Sequence, residues 1–192
     1  MNAKTYPMNK KQTGFSLLEL MAALAIAMIL MSIAVPSFME MTQNNRLATQ
    51  TNDFVSSLNL ARSEAVKRGN RITVCKSADN ATCTAAGGWH QGWIVFVDAD
   101  NDAAVDAGEE LIRAHGSLDG ANTLNGITAD VTNYISFVST GFSQLTNGGL
   151  QSGQIILCDN RGFAVGRAMI LNAAGLIRNT ATNDPAVTVA MC

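Results

Sequence analysis

Gly14-Phe15-Ser16-Leu17-Leu18-Glu19-Leu20 opens the stretch that decides the fold. From Phe15 to Val35 run 21 residues in which only Ser16, Glu19 and Ser32 are polar. Wound as a helix at about 1.5 Å per residue, that length crosses the roughly 30 Å of hydrocarbon in a bilayer. Glu19 sits one turn inside it. A carboxylate there costs about 2.5–3.5 kcal/mol at the membrane centre and less near the edge, so an intramembrane charge has a partner and a task.

The partner of matching chemistry is an amine. Cutting the chain between Gly14 and Phe15 would create a positive α-amino group one helical turn before Glu19. In its own subunit that amine faces the helix start; in a helical assembly it reaches the Glu19 of a neighbour. Two buried unlike charges are costly apart and tolerable together. Such a pair would lock the register between subunits.

Upstream, residues 1–14 carry Lys4, Lys10 and Lys11 and no acid, which keeps this end cytoplasmic. The start is Met1 or Met8, the latter leaving a leader of seven residues. Two plainer readings compete. One is an ordinary membrane anchor. The other is a secretory signal cut after Ser32-Ile33-Ala34, which accounts for the basic start and apolar core. It does not account for Glu19 inside that core, nor for the helical pattern that continues beyond it.

The basic leader, the Gly-Phe-Ser-Leu-Leu-Glu-Leu run and the apolar residues after it resemble the class III signal of type IV pilins and type II secretion pseudopilins, over residues 1 to about 38. The resemblance implies cleavage after Gly14 by a prepilin peptidase, N-methylation of Phe15, and Glu19 as the assembly carboxylate. Pro36 falls where many members of the family bend this helix.

Beyond Pro36 the chain turns amphipathic. Leu47, Thr51, Phe54, Leu58, Ala61 and Ala65 recur at spacings of three and four and mark one helix face. Lys67 and Arg68 suit the last turn, and Gly69-Asn70 supplies the stop. One helix is predicted from Phe15 to Arg68, bent or loosened at Pro36 and about 80 Å long. The organisation follows: a leader over 1–14, a transmembrane or filament-core helix over 15–38, and a periplasmic globular domain over 39–192.

From Arg71 the period becomes that of strands. Candidates are Arg71–Cys75, Gly92–Val97, Glu110–Ala114, Tyr134–Val138, Gln154–Cys158, Arg167–Asn172 and a short piece at Gly175–Arg178. Gly and Asn punctuate the gaps, and short strands with short links read as antiparallel. The helix end Ala61-Arg62-Ser63-Glu64-Ala65-Val66-Lys67-Arg68 is similar to that of GspH/FimT-type minor pilins. So are Gly92-Trp93-x-Val95-Phe96-x-Asp98, Phe137-x-x-x-Gly141-Phe142 and Leu157-Cys158-Asp159. That resemblance implies an α+β fold, a long helix laid on antiparallel sheets.

Composition agrees. The 192 residues are 47% hydrophobic, and the part beyond the apolar run suffices for one domain with a core. A net charge of −2 gives no global signal for binding polyanions. Four cysteines behind a membrane-targeting start point to an oxidising compartment and two disulfides. Spacing favours Cys75–Cys83 across a short loop and Cys158–Cys192 tying down the C-terminus; other pairings stay open.

Two surface features invite a ligand. Asp98, Asp100, Asp102, Asp106 and Glu109 stand at positions 1, 3, 5, 9 and 12 of a calcium-loop pattern, with Ala103 where such loops use glycine. The alternative is a solvated acidic hairpin. Residues 98–119 hold seven acids against Arg113, whereas 159–178 hold Arg161, Arg167 and Arg178 against Asp159. FimT-type pilins that bind DNA during transformation carry Gly-Arg-x-Arg in a C-terminal loop. The matching stretch here is Gly175-Leu176-Ile177-Arg178, so only Arg178 carries over. Phosphate contacts by Arg178, helped by Arg161, Arg167, Lys67 and Arg68, are the corresponding expectation.

Catalysis finds no support: no nucleophile elbow, phosphate loop or dinucleotide fingerprint occurs, and neither His90 nor His115 has an identifiable partner. Trp89, Trp93, Phe137 and Phe142 read as core or hairpin residues. The sequence reading is therefore a structural subunit without cofactor, a minor pilin of a type IV pilus that primes assembly or sits near the tip. It inserts in the bacterial inner membrane, meets the prepilin peptidase and joins other pilins. A minor pseudopilin of a type II secretion system and a DNA-capturing pilin are the alternatives.

Overall fold

The computed structural model describes residues 14–188. The basic leader, both candidate start residues and Cys192 lie outside that range. α1 is one helix, Leu17–Arg68, assigned without a break through Pro36. Ser16 caps its start: its Oγ accepts the Glu19 N–H at 3.3 Å, and its carbonyl accepts the Leu20 N–H at 3.1 Å. Ser16-x-x-Glu19 thus forms the serine half of a capping box. At the other end Gly69 adopts φ 71°, the left-handed conformation that terminates helices cheaply only in glycine.

The chain divides into two compact units, parted between Thr42 and Gln43. In the first, every described residue but Ala27 is exposed. Leu20, Met21, Leu24, Ile29, Ile33 and Phe38 all keep more than half their surface open. The apolar residues encircle the helix instead of forming a stripe, so no single face could bury them.

In the second unit α1 buries Leu47, Thr51, Phe54, Leu58, Ala61 and Ala65, the face the spacing predicts, together with Gln50 and Ser57. Eight strands form two four-stranded sheets. The first has the order β3-β2-β1-β5, from β1 (Ile72–Lys76), β2 (Trp93–Val97), β3 (Leu111–His115) and β5 (Tyr134–Phe137). The second has the order β4-β6-β7-β8, from β4 (Thr123–Gly126), β6 (Gly153–Cys158), β7 (Arg167–Leu171) and β8 (Ile177–Ala181). Every pairing is antiparallel.

Both sheets send one face to a common core with α1: Ile72, Val74, Trp93, Val95 and Ile135 from the first, Leu124, Ile155, Leu157, Met169 and Leu171 from the second. Phe54 sits at its centre, edge-on to Trp89 and Trp93 with ring centroids 5.2 and 5.0 Å away. The outer faces carry smaller clusters, Cys75, Ile94 and Phe96 on one sheet and Ile156, Cys158, Ala168 and Val187 on the other. Burial on both faces explains why β2 reads as an unbroken apolar run, while in β1 the buried positions include Thr73 and Lys76.

Two strands depart from the sequence reading. β4 was not expected, because Thr-Leu-Asn-Gly is short and half of it disfavours strands; its pairing with β6 holds it. β8 begins at Ile177 and not at Gly175, since Gly175 at φ 72° belongs to the turn, its N–H donating to the Asn172 carbonyl.

Candidate functional site

A methyl group added at Gly14 would meet nothing within 4 Å, so the chain itself sets no steric demand for glycine there. Phe15 is 82% exposed. With Ser16 as the cap, Phe15 is the residue just ahead of the helix. A cut before it would place an ammonium against the positive end of the α1 dipole, an unfavourable neighbour unless an anion intervenes. The Glu19 carboxylate is the acid nearest in sequence, and it makes no hydrogen bond or ion pair with any described residue. Sequence reasoning singled out Gly14, Phe15 and Glu19 but did not name the cap. The signal was present as Ser-x-x-Glu at the head of an apolar run.

The acidic loop is organised by its own carboxylates. Asp98 is buried; it accepts the Thr73 hydroxyl at 2.6 Å and the Asp102 N–H at 3.1 Å. Burial pushes its carboxyl upward in pKa. Asp102 accepts the Ala104 N–H, and Glu109 uses both oxygens on the N–H groups of Ala99 (2.7 Å) and Asp106 (3.0 Å). Asn101 and Ala103 both take left-handed backbone conformations, φ 69° and 63°. Asp98, Asp100 and Asp102 bring oxygens within 4.8 Å of one another, and these three are the set that could hold a cation. The charges of Asp102 and Asp100 raise the Asp106 carboxyl. Glu109, the twelfth position of the calcium pattern, serves as the clamp that closes the loop.

The basic residues do not gather. Arg161 pairs with Asp159 at 2.6 Å and reaches Asn44. Burial alone would raise the Asp159 carboxyl, but the Arg161 side chain and N–H hold it below its usual value. Arg68 binds Glu64 at 2.5 Å and Glu110 at 2.6 Å, and Lys67 binds Glu64 at 3.5 Å. Arg178 pairs with Asp184 at 3.3 Å. Asn44 and Arg68 are 24 residues apart on α1, about 36 Å along its axis, so Arg161 and Arg68 cannot share one short contact. The guanidinium of Arg167, on β7, has no hydrogen-bonding or ionic partner among the described residues.

Cys75 and Cys83 are disulfide-bonded, with Cα atoms 5.6 Å apart. The bridge sits at the start of the loop that receives Lys76, whose Nζ donates to the carbonyls of Ala85 (3.0 Å) and Gly87 (2.8 Å) and whose ammonium burial drives down in pKa. The expected Cys158–Cys192 bridge ends on a residue outside the described ones.

Both histidines have partners that the sequence did not disclose. His115 stacks on Trp93, ring centroids 3.9 Å apart, with Nε2 3.9 Å from an Asp53 oxygen. His90 Nδ1 lies 3.5 Å from the Leu124 N–H. Neither imidazole hydrogen-bonds a Ser, Thr or Cys side chain among the described residues. Trp89, Trp93 and Phe137 are core residues, while Phe142 is a half-exposed hairpin residue whose carbonyl accepts the Val138 N–H.

Comparison with known proteins bears on residues at both ends of this account. The family described as Type II transport protein GspH matches residues 50–175. The prokaryotic N-terminal methylation motif matches residues 9–35. Among solved structures, the type IV minor pilin FimU of Pseudomonas aeruginosa superposes with a TM-score of 0.55 at 21% identity, covering 77% of this chain and 95% of that one. A second crystal form of FimU gives 0.51 at 21% identity, with 72% and 93% covered. The minor pseudopilin EpsH from the Type 2 Secretion System of Vibrio cholerae gives 0.49 at 10% identity, with 72% and 99% covered. No curated protein sequence matches the chain. At these identities FimU shares the α+β fold described above.

Proposed function

Because the chain belongs to the GspH family and carries the prokaryotic N-terminal methylation motif, we propose that this pilin-type subunit is a minor component of a type IV pilus. A prepilin peptidase removes the leader after Gly14, Phe15 becomes the N-methylated first residue, and the apolar half of α1 passes from the inner membrane into the filament core beside other pilins. The role is structural, and no catalytic constellation occurs among the described residues.

One observation carries the reading. The described apolar half of α1 is exposed on almost every side, yet it bears a carboxylate without a partner among the described residues, one turn behind the cleavage point. Such a helix needs surroundings that are apolar along its length and cationic at one level. A bundle of identical helix starts, each with a freed amine, supplies both.

Mass spectrometry of the protein from sheared filaments tests this. The mature chain is expected to begin at methylated Phe15. A chain beginning at Val35, or one retaining the leader while in a filament, overturns the proposal. The GspH match favours a second reading, a minor pseudopilin of a type II secretion system. Deleting the gene separates the two: loss of surface pili with normal protein secretion supports the pilus, and the converse supports the secretion machine.

A further inference from the structure

Six of the eight arginines, at positions 62, 68, 71, 113, 161 and 178, spend their guanidinium groups on acceptors within the chain. Arg167 does not. It lines a cavity of about 210 Å³ with Ala48 and Asn52 of α1 and Asn179, Thr180 and Ala181 of β8. Among the described residues no carboxylate lines this cavity, and the side chains of Asn52 and Asn179 are likewise without partners there. Of the acids near the lining residues in sequence, Asp53 lies 3.9 Å from His115 Nε2, Asp159 pairs with Arg161, and Asp184 is engaged by Arg178 and by the Thr180 hydroxyl at 2.8 Å.

The cavity opens beside an unpaired sheet edge. β8 is the outermost strand of its sheet and pairs only with β7. The Asn172 N–H bonds the Leu176 carbonyl, and the Thr182 N–H bonds that of Gly166. By antiparallel alternation, Leu176, Arg178, Thr180 and Thr182 therefore turn their backbone groups toward β7. Ile177 and Asn179 turn theirs outward, where no described residue meets them. The Ala181 carbonyl accepts the Asp184 N–H and closes the edge.

We propose that this edge is a subunit-docking site. An extended segment of a neighbouring filament subunit adds to β8 as a further strand and places an Asp or Glu side chain into the Arg167 cavity. The open backbone groups at Ile177 and Asn179 supply the main-chain bonds, and a free guanidinium flanked by two carboxamides, with no acid present, complements a carboxylate. A duplex cannot follow a strand's hydrogen-bonding pattern along so short an edge, which favours a peptide over DNA. The inference rests on the filament reading above.

The full-length protein, in the cells that make it, provides the test. A photo-cross-linking amino acid replaces Asn179, or in a second variant Asn52, and sheared filaments are analysed by mass spectrometry. The expected adduct joins this residue to another subunit within a stretch containing Asp or Glu. Arg167→Glu should weaken it about tenfold or more, and Arg167→Lys should retain most of it. If Arg167→Glu lowers the melting temperature, Arg167→Gln takes its place. An adduct indifferent to Arg167, an adduct with DNA, or none in filaments that contain the protein overturns the docking site alone. Absence of the wild-type protein from filaments overturns the filament reading itself.

Discussion

Arg71 is the residue on which the acidic loop and the hairpin over 143–150 both depend. It is buried and donates to Asn101 Oδ1 (2.8 Å), Ser136 Oγ (2.8 Å), the Gln144 carbonyl and Oε1 (both 2.9 Å) and the Leu145 carbonyl (3.3 Å). A planar fork with five donors fits that set, and an ammonium does not. Arg71→Ala leaves several buried acceptors empty and is expected to cost about 3 kcal/mol or more. Arg71→Lys should recover little of that loss, as read by chemical denaturation. Asp159 makes a prediction in pH. Its carboxyl is held below its unfolded value, so its contribution to stability is present above the unfolded pKa of about 4 and is lost as pH falls through the lower folded value. Between pH 5 and 2, Arg161→Gln should lose less additional melting temperature than wild type, because it has already lost this pair. A parallel decline in both proteins would contradict the assignment. Little of this was legible beforehand: Arg71 read as the first residue of a strand because its partners lie 30 to 74 residues away and leave no local trace, and Asp159 read only as a counter-charge, although its partner Arg161 is two residues on.

At the scale of elements, legibility followed the range of the interactions. The buried face of α1 is written in a local period, and its six predicted positions are buried. The strands show where their own residues are β-branched or aromatic. β4 does not, because its strand state is imposed by β6. The division into two sheets was equally hidden, since it depends on which strands meet across long separations. The candidate site divides the same way. Gly14, Phe15 and Glu19 are legible because they form a contiguous pattern, whereas the Arg167 cavity joins residues from α1, β7 and β8. Phe54 tests the keystone of the common core. It is wholly buried and lies edge-on to two tryptophans, so Phe54→Ala should cost about 3–5 kcal/mol by thermal or chemical unfolding. Phe54→Leu, which keeps most of the volume, should cost markedly less.

For the whole molecule, the question is what moves a subunit out of a bilayer into a polymer. Lipid tails and neighbouring apolar helices cover Leu, Ile and Met side chains about equally well, so burial of the α1 stalk nearly cancels between the two surroundings. What does not cancel is Glu19. In lipid its carboxylate is unpaired and carries a cost of up to about 3 kcal/mol. On the filament reading proposed above, it would meet the amine that cleavage frees on a neighbour, an amine that itself needs relief from the α1 dipole. On that proposal, processing would create the partner that makes the filament the lower state. Glu19→Ala removes both the penalty and the gain. It should leave cleavage between Gly14 and Phe15 largely intact while the ratio of filament to membrane protein falls about tenfold or more. Gly14→Ala acts at the other step: since a methyl group there would meet no described residue within 4 Å, it should still be cut to some extent, and larger side chains should block cutting and leave the subunit in the membrane. Quantitative immunoblots of sheared and membrane fractions read both. A Glu19→Ala chain that enters filaments at the wild-type ratio would show that the charge pair is not what separates the two states.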